Sequence, residues 1–566
     1  MRRIWYGMGM VLVLLGLFLP AADCLAARHA PRAETAADTG PRGKILFIPQ
    51  DNRPTSGMQA AEVVRHLGYE VVMPDRDMLG GLGKDGDTEA LWNWTQENAR
   101  QADMAVIAAD SLIYGGLVSS RKHEIPADVL RERADRLRQL HQAHPFLKLY
   151  AFVSLMRTPR SGEASGGEDP DYYISYGEKI FRYTGLMDKA EETGLQPDEQ
   201  QEAAGLEQDI PAEVRKDWLE RRRRNLEVTK QLMNFVREGS MDYLLVGKDD
   251  NASLSQTHRE SRWLKKYGQD IPPDRFRMTA GIDEFALLLL TRAVNQRERR
   301  VPEVAVCYNE GKGGDTVPTY SDERLADTVK TDLEVAGARL QREPSQADLI
   351  LLVNTNPDGM TGEANHVREW EAAPLNNGQD RSGTAPFLQL LHSYLQTGKP
   401  VAVADVAFTN GADNALMRHL EREGMLFQLQ AYSGWNTATN SIGFALGQGI
   451  LACRMKRDAA DALLMTRYLD DWGYQSNVRT TMAIRIEQMD DPQIYLYLGG
   501  YEQAFAEEAS QLLVRFARLH LPRLERPDRL SVTFPWHRLF IAEIGLSGED
   551  SGAERPKNEQ EGRDER

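Results

Sequence analysis

The chain has 566 residues and a formal net charge of −16. That length exceeds a single simple core and predicts two or three domains. The acidic balance excludes a nucleic-acid or anionic-membrane surface, because both recruit basic patches. Hydrophobic residues at 41% and charged residues at 27% are ordinary for a globular protein in water.

Arg2 and Arg3 precede a short apolar run over residues 8–19, then Pro20 and small residues up to Ala27. A charged head, an apolar body and a small-residue end are the parts of a secretory signal. The run is short for a bilayer span, so a cleaved signal over 1–27 is expected, with an uncleaved anchor as the alternative. Asp23 stands before Cys24 where a lipoprotein anchor takes a small neutral residue. The expected location is therefore periplasmic or extracellular, without stable membrane insertion after cleavage. Cys307 and Cys453 remain in the mature chain, too few for a disulfide framework, and both read as buried thiols.

After a polar leader (28–42), apolar runs alternate with helical patterns. Residues 44–49 (KILFIP) form the first predicted strand, ending on Asp51, Asn52 and Arg53. Residues 71–74 form the second. Residues 104–109 end on Asp110, with Arg121 downstream, and residues 147–155 end on Arg157 and Arg160. Residues 161–171 are glycine-rich and acidic and read as a mobile loop, followed by charged helical patterns over 172–235. The run Arg221 to Arg224 reads as a solvated helix face. The strand 243–246 stops at Gly247 and runs directly into Lys248, Asp249, Asp250 and Asn251. Residues 277–280 end on Gly281, Ile282, Asp283 and Glu284.

A second series follows. Strands over 303–308, 347–353, 400–406 and 429–432 end respectively on Glu310, Asn354, the set Asn410 with Asp413, and Trp435 with Asn436. Helical patterns run to residue 519, and residues 547–566 read as a disordered tail. Strand–helix alternation implies parallel sheets. The predicted fold is α/β, with two Rossmann-like parallel-sheet domains (43–300 and 301–546) and a helical insertion over 161–240. An irregular β/α barrel is the alternative.

In open α/β sheets ligands bind outside the carboxyl ends of the strands, which is where these polar residues collect. Two adjacent carboxylates shielded from water cannot both ionise cheaply, so one of Asp249 and Asp250 should titrate high. That yields an acid and a base from one residue type. Glu310 is a third acid candidate. Asp51, Arg53, Asp110, Arg157, Lys248, Asp405, Asn410, Asp413, Trp435 and Asn436 are expected to position a substrate. Lys248 would hold one aspartate ionised. Asp405, Asn410 and Asp413 could bind sugar hydroxyls or a divalent ion through oxygen. Trp435 offers a platform for a sugar ring, or else a buried indole bonded through its N–H. No HExxH, phosphate-loop or G-x-S-x-G pattern occurs, so no cofactor and no transition metal are expected.

Taken in order, the motifs DNRP, DSLIYGGLVSSR, GKDDNA, GIDE, YNEG, ADVAFTNGAD and AYSGWNTATNSIG resemble a bacterial family catalogued as domain of unknown function 4127. The likeness extends from about residue 44 past residue 479 and implies that the strand-end residues belong together. It brings no reaction with it. The Asp-Asp pair is separately similar to that of substrate-assisted N-acetylhexosaminidases, in which one acid orients the acetamido group and the other protonates the leaving oxygen. The expected activity is a hydrolase on a glycan or other small polyhydroxylated substrate. The alternatives are a non-catalytic envelope protein that binds a sugar or cell-wall fragment, and a metal-dependent hydrolase with oxygen ligands.

Overall fold

The computed structural model describes residues 41–162, 166–368, 374–489, 491 and 493–546. The expected signal, most of the leader and the expected tail lie outside the described residues. A strand forms at each predicted position, and those over Met104–Ala108, Tyr243–Lys248, Leu349–Asn354 and Val401–Asp405 are buried along their whole length. The first sheet contains β1 (Lys44–Ile48), β2 (Glu70–Val72), β3 (Met104–Ala108), β4 (Lys148–Leu155), β5 (Tyr243–Lys248) and β6 (Phe276–Ala280). All pairs are parallel, in the order β2-β1-β3-β4-β5-β6.

The second sheet contains β7 (Glu303–Tyr308), β8 (Arg339–Leu340), β9 (Leu349–Asn354), β11 (Val401–Asp405) and β13 (Ala431–Ser433), also wholly parallel. Its order is β13-β11-β9-β7-β8. Read from its own first strand this is the same winding as the first sheet, second-first-third-fourth-fifth, although no repeat is visible in the sequence. Two short ribbons complete the set: β10 (Gly362–Glu363) with β12 (Phe408–Thr409), and β14 (Leu530–Thr533) with β15 (Glu543–Leu546). The fold is α/β with parallel sheets, and no barrel closes among the described residues.

The strands explain the layering. Ile45 and Phe47 of β1 face one hydrophobic cluster, whereas Leu46 and Ile48 face another, as a period of two requires. The first cluster also takes in Leu349, Leu351 and Val353 of β9, so the two sheets share an apolar layer. The helices Phe285–Arg297 and Ala438–Ala452 fill that layer, which is why FALLLLTRAVN is apolar nearly all round.

Three helices, Tyr173–Glu192, Pro197–Asp209 and Ala212–Glu238, are inserted between β4 and β5. Here the structure departs from expectation. Arg221 and Arg222 are buried rather than solvated. Arg222 pairs with Glu260 at 2.8 Å and donates to the carbonyls of Met156 and Arg157 at 2.7 and 2.9 Å, thereby fixing the end of β4. Cys307 and Cys453 are free, the first half-buried and the second exposed, which corrects the reading of two buried thiols. Among the described residues no helix is long and apolar enough to cross a membrane.

Gly247 lies where β5 approaches the next turn most closely. A Cβ there would stand 2.6 Å from the carbonyl oxygen of Gly281 and 2.8 Å from the ring of Phe285. Gly247→Ala should therefore cost about 1–3 kcal/mol through overpacking. Urea unfolding measures it, and a loss below about half a kcal/mol would contradict this packing.

Candidate functional site

A cavity of about 550 Å³ opens where the carboxyl ends of both sheets meet. Its wall takes Arg53 from the end of β1, Arg157 from β4, Asp249 and Asp250 from β5, Asp283 from β6, and Asn410 and Asn436 from the second series. A larger hollow, about 750 Å³, lies at the opposite ends of β3 and β4 beside Arg100, His144 and Phe146. It lacks convergent acids, so the cavity at the carboxyl ends is the candidate site.

Two groups of ion pairs build the wall. In the first, Arg121 bonds Asp249 and reaches Glu168 at 2.6 Å. Arg157 holds Asp250 at 2.9 Å and Asp169 at 2.7 Å. Arg538 binds the other oxygen of Glu168 at 2.5 Å. Burial alone would raise the Glu168 carboxyl, but Arg157, Arg538 and Arg121 hold it well below the usual carboxylate range. Arg121 reaches this point because Gly115 and Gly116, with φ of 94° and 135°, turn the chain between two short helices.

In the second group, Arg53 forks onto Asp51 and reaches Asp283 at 2.7 Å. The Arg53 guanidinium lies 4.9 Å from the centre of the Trp536 ring, and Asn436 donates to Asp283 at 2.8 Å. Burial raises the Asp283 carboxyl against the pull of Arg53.

Asp250 is the acid with access. Its backbone takes φ of +34° directly after the strand, and its side chain is 28% exposed. Burial, then the charge of Asp249, push its carboxyl up to about 6, against the pull of Arg157 and Arg121. This matches the expectation that one of the two aspartates titrates high.

Other expected site residues lie elsewhere. Lys248 faces the opposite side of β5 from Asp249, as alternation along a strand dictates, and pairs with Asp322 at 2.6 Å and Glu323 at 2.5 Å. It does not line the cavity or hold either aspartate. Glu310 is exposed and stands outside the wall. Asp51 stands behind the wall, paired with Arg53 and accepting from the Ser56 hydroxyl at 3.0 Å. Asp405 and Asp413 form a buried network behind the wall: Asn354 bridges them at 2.9 and 3.2 Å, and Tyr432 donates to Asp405 at 2.7 Å. Arg381 pairs with Asp413 and supplies the cation that a bound divalent ion would otherwise bring. Burial and Asp413 raise Asp405 to about 7. Trp435 is a buried indole, packed on Phe540 and donating to Thr55 at 3.3 Å, and so is no platform.

Sequence reasoning missed Glu168, Asp169, Glu363, Tyr320, Arg479 and Arg538. Glu168 and Asp169 sit in the segment expected to be a mobile loop, yet both are tied down by arginines. Arg479 and Arg538 lie in the helical patterns and end segment beyond the second series of strands, where no strand end marks them. A three-residue group with metal-ligand atoms close together, Asp188, Glu192 and His258, lies outside the cavity. His258 and Arg262 already occupy the Asp188 oxygens, each at 2.6 Å.

The family model described as protein of unknown function (DUF4127) matches residues 45–545, and the chain belongs to that family. Comparison with the curated proteins and with the solved structures gives no match.

Asp110 stands behind the wall, fully buried. One oxygen accepts from the Ser154 amide at 2.9 Å and the other has no hydrogen-bond partner. Burial raises its carboxyl to about 7. The unfolded chain ionises this group first as pH rises, so its contribution to stability is fullest below about pH 4 and is lost towards about pH 7. Asp110→Asn keeps the acceptor and removes the titration. Relative to that variant, wild-type stability should fall by up to about 4 kcal/mol across this window. Parallel stability curves from urea unfolding at several pH values would refute it.

Proposed function

We propose that the protein is a secreted or periplasmic hydrolase that cleaves a glycoside or similar polyhydroxylated substrate in the cavity between the two sheets, with Asp250 as the proton donor. The observation that carries this is a pair of neighbouring acids of unlike exposure, each held by an arginine, with the Asp250 side chain 28% exposed and that of Asp249 9%. Asp249 is fastened to Arg121, whereas Asp250 reaches the cavity with its carboxyl raised to about 6. A general acid needs a proton at its working pH and access to the leaving oxygen; a carboxyl raised to about 6 keeps its proton in mildly acid solution, and Asp250 opens on the cavity.

The remaining wall supports a hydroxyl-rich ligand. Asn251, Asn365, Asn410, Asn436 and Asn440 present amides that donate and accept, beside the rings of Tyr320 and Phe540. Asn410 keeps a buried side-chain oxygen without a hydrogen-bond partner, an acceptor available to a ligand hydroxyl. The signal-like pattern at residues 1–27 supports placement in the envelope, where glycan substrates abound.

Nitrophenyl glycosides of the common pyranosides test the reading. Turnover of at least one is expected, falling as pH rises above about 6, where Asp250 loses its proton. Asp250→Asn should reduce turnover roughly 100-fold or more while the thermal midpoint holds. Equal turnover by the variant removes Asp250 from the chemistry, and no turnover of any glycoside rejects the glycosidase reading.

A further inference from the structure

Arg479 begins the helix Arg479–Glu487 and follows a π-helical stretch, Tyr468–Val478. It is 2% exposed and forms part of the cavity wall. Its guanidinium donates to three neutral oxygens: the carbonyl of Asn410 at 2.8 Å, the carbonyl of Gln475 at 3.3 Å and the phenol of Tyr495 at 3.4 Å. It lies 5.4 Å from the centre of the Phe540 ring. No carboxylate pairs with it among the described residues.

That sets it apart from its neighbours. Arg53, Arg121, Arg157 and Arg538, set into the same wall, each have at least one carboxylate within ion-pair distance. A buried cation facing only dipoles carries a desolvation cost that carbonyls offset in part, and an anion completes the balance. Arg160, exposed on the wall, likewise has no ion pair among the described residues. The wall as a whole holds six arginines against five carboxylates, in a chain whose net charge is −16.

We propose that the ligand of this cavity carries an anionic group, a carboxylate or a phosphate on a saccharide-like body, and that Arg479 anchors it. The inference rests on the cavity being the ligand site and narrows its substrate class. Arg479 offers a planar fork whose free N–H groups suit two anionic oxygens. Phe540 shields one face of the guanidinium and strengthens the pairing by lowering the local dielectric.

Binding, not turnover, tests it. Glucuronate, inorganic phosphate and neutral glucose are titrated calorimetrically into the full chain at low ionic strength. At least one anion should bind about tenfold more tightly than glucose, and which one distinguishes a carboxylate from a phosphate ligand. Arg479→Gln should weaken that binding by about tenfold. Because no rate is read, an inactive protein that binds the anion sinks the hydrolase reading alone. Neither anion exceeding glucose, or equal binding by a folded Arg479→Gln, overturns the proposal. If that variant fails to fold, a wild-type crystal soaked in the bound anion decides. Density on the Arg479 guanidinium supports the assignment, and density elsewhere in the cavity refutes it.

Discussion

Glu168 is the joint on which this cavity depends. One carboxylate receives Arg121 from the segment after β3, Arg157 from the end of β4 and Arg538 from near the carboxyl end of the described chain. Through two of those arginines it is coupled to Asp249 and Asp250. All these charges are largely removed from water, where an ion left without its partner costs several kcal/mol. The pairings are consequently mutual. Glu168 turning aside would strand Arg538, and Arg121 turning aside would strand Asp249, so side chains hundreds of residues apart are held in register around the same hollow.

The fold makes such a joint possible. Two parallel sheets of the same winding order lie on either side of a shared apolar layer, built largely by the helices Phe285–Arg297 and Ala438–Ala452. Their carboxyl ends open towards common space, so the turns after β1, β4, β5 and β6 meet those after β12 and β13. Each sheet by itself would offer a crevice beside one set of turns. Two sheets facing the same hollow enclose it, and enclosure is what makes its acids titrate away from their ordinary values.

The strands were legible because a parallel strand is a short apolar run that stops abruptly, and YLLVGKDDN is such a run. The acid pair was legible for the same reason, since the stop places Asp249 and Asp250 at a carboxyl end. Which way a side chain points was harder to read. Lys248 and Asp249 are neighbours in sequence and face opposite sides of β5, so proximity along the chain misassigned the lysine. Glu168 and Asp169 were hidden because a glycine-rich acidic loop has the same composition whether it is solvated or clamped by arginines. Those arginines come from other segments, and nothing local marks the partnership. Asp405 and Asp413 show the converse: strand-end acids that look like a site and instead pair inward with Arg381, Asn354 and Tyr432.

Raised carboxyl pKa values do not by themselves locate the chemistry here. Asp110, Asp405 and Asp471 are each pushed up to about 7, further than Asp250 at about 6. All three are closed off from solvent and from the cavity, so their protons have nowhere to go. Asp250 is shifted less because Arg157 reaches it and because its side chain retains some contact with water. That incomplete burial is what distinguishes a proton donor from a buried acid. Enough shielding keeps the proton on up to about pH 6, and enough access lets it leave. The site is therefore to be sought where a perturbed acid meets open volume, and among these four carboxyls Asp250 alone satisfies both conditions.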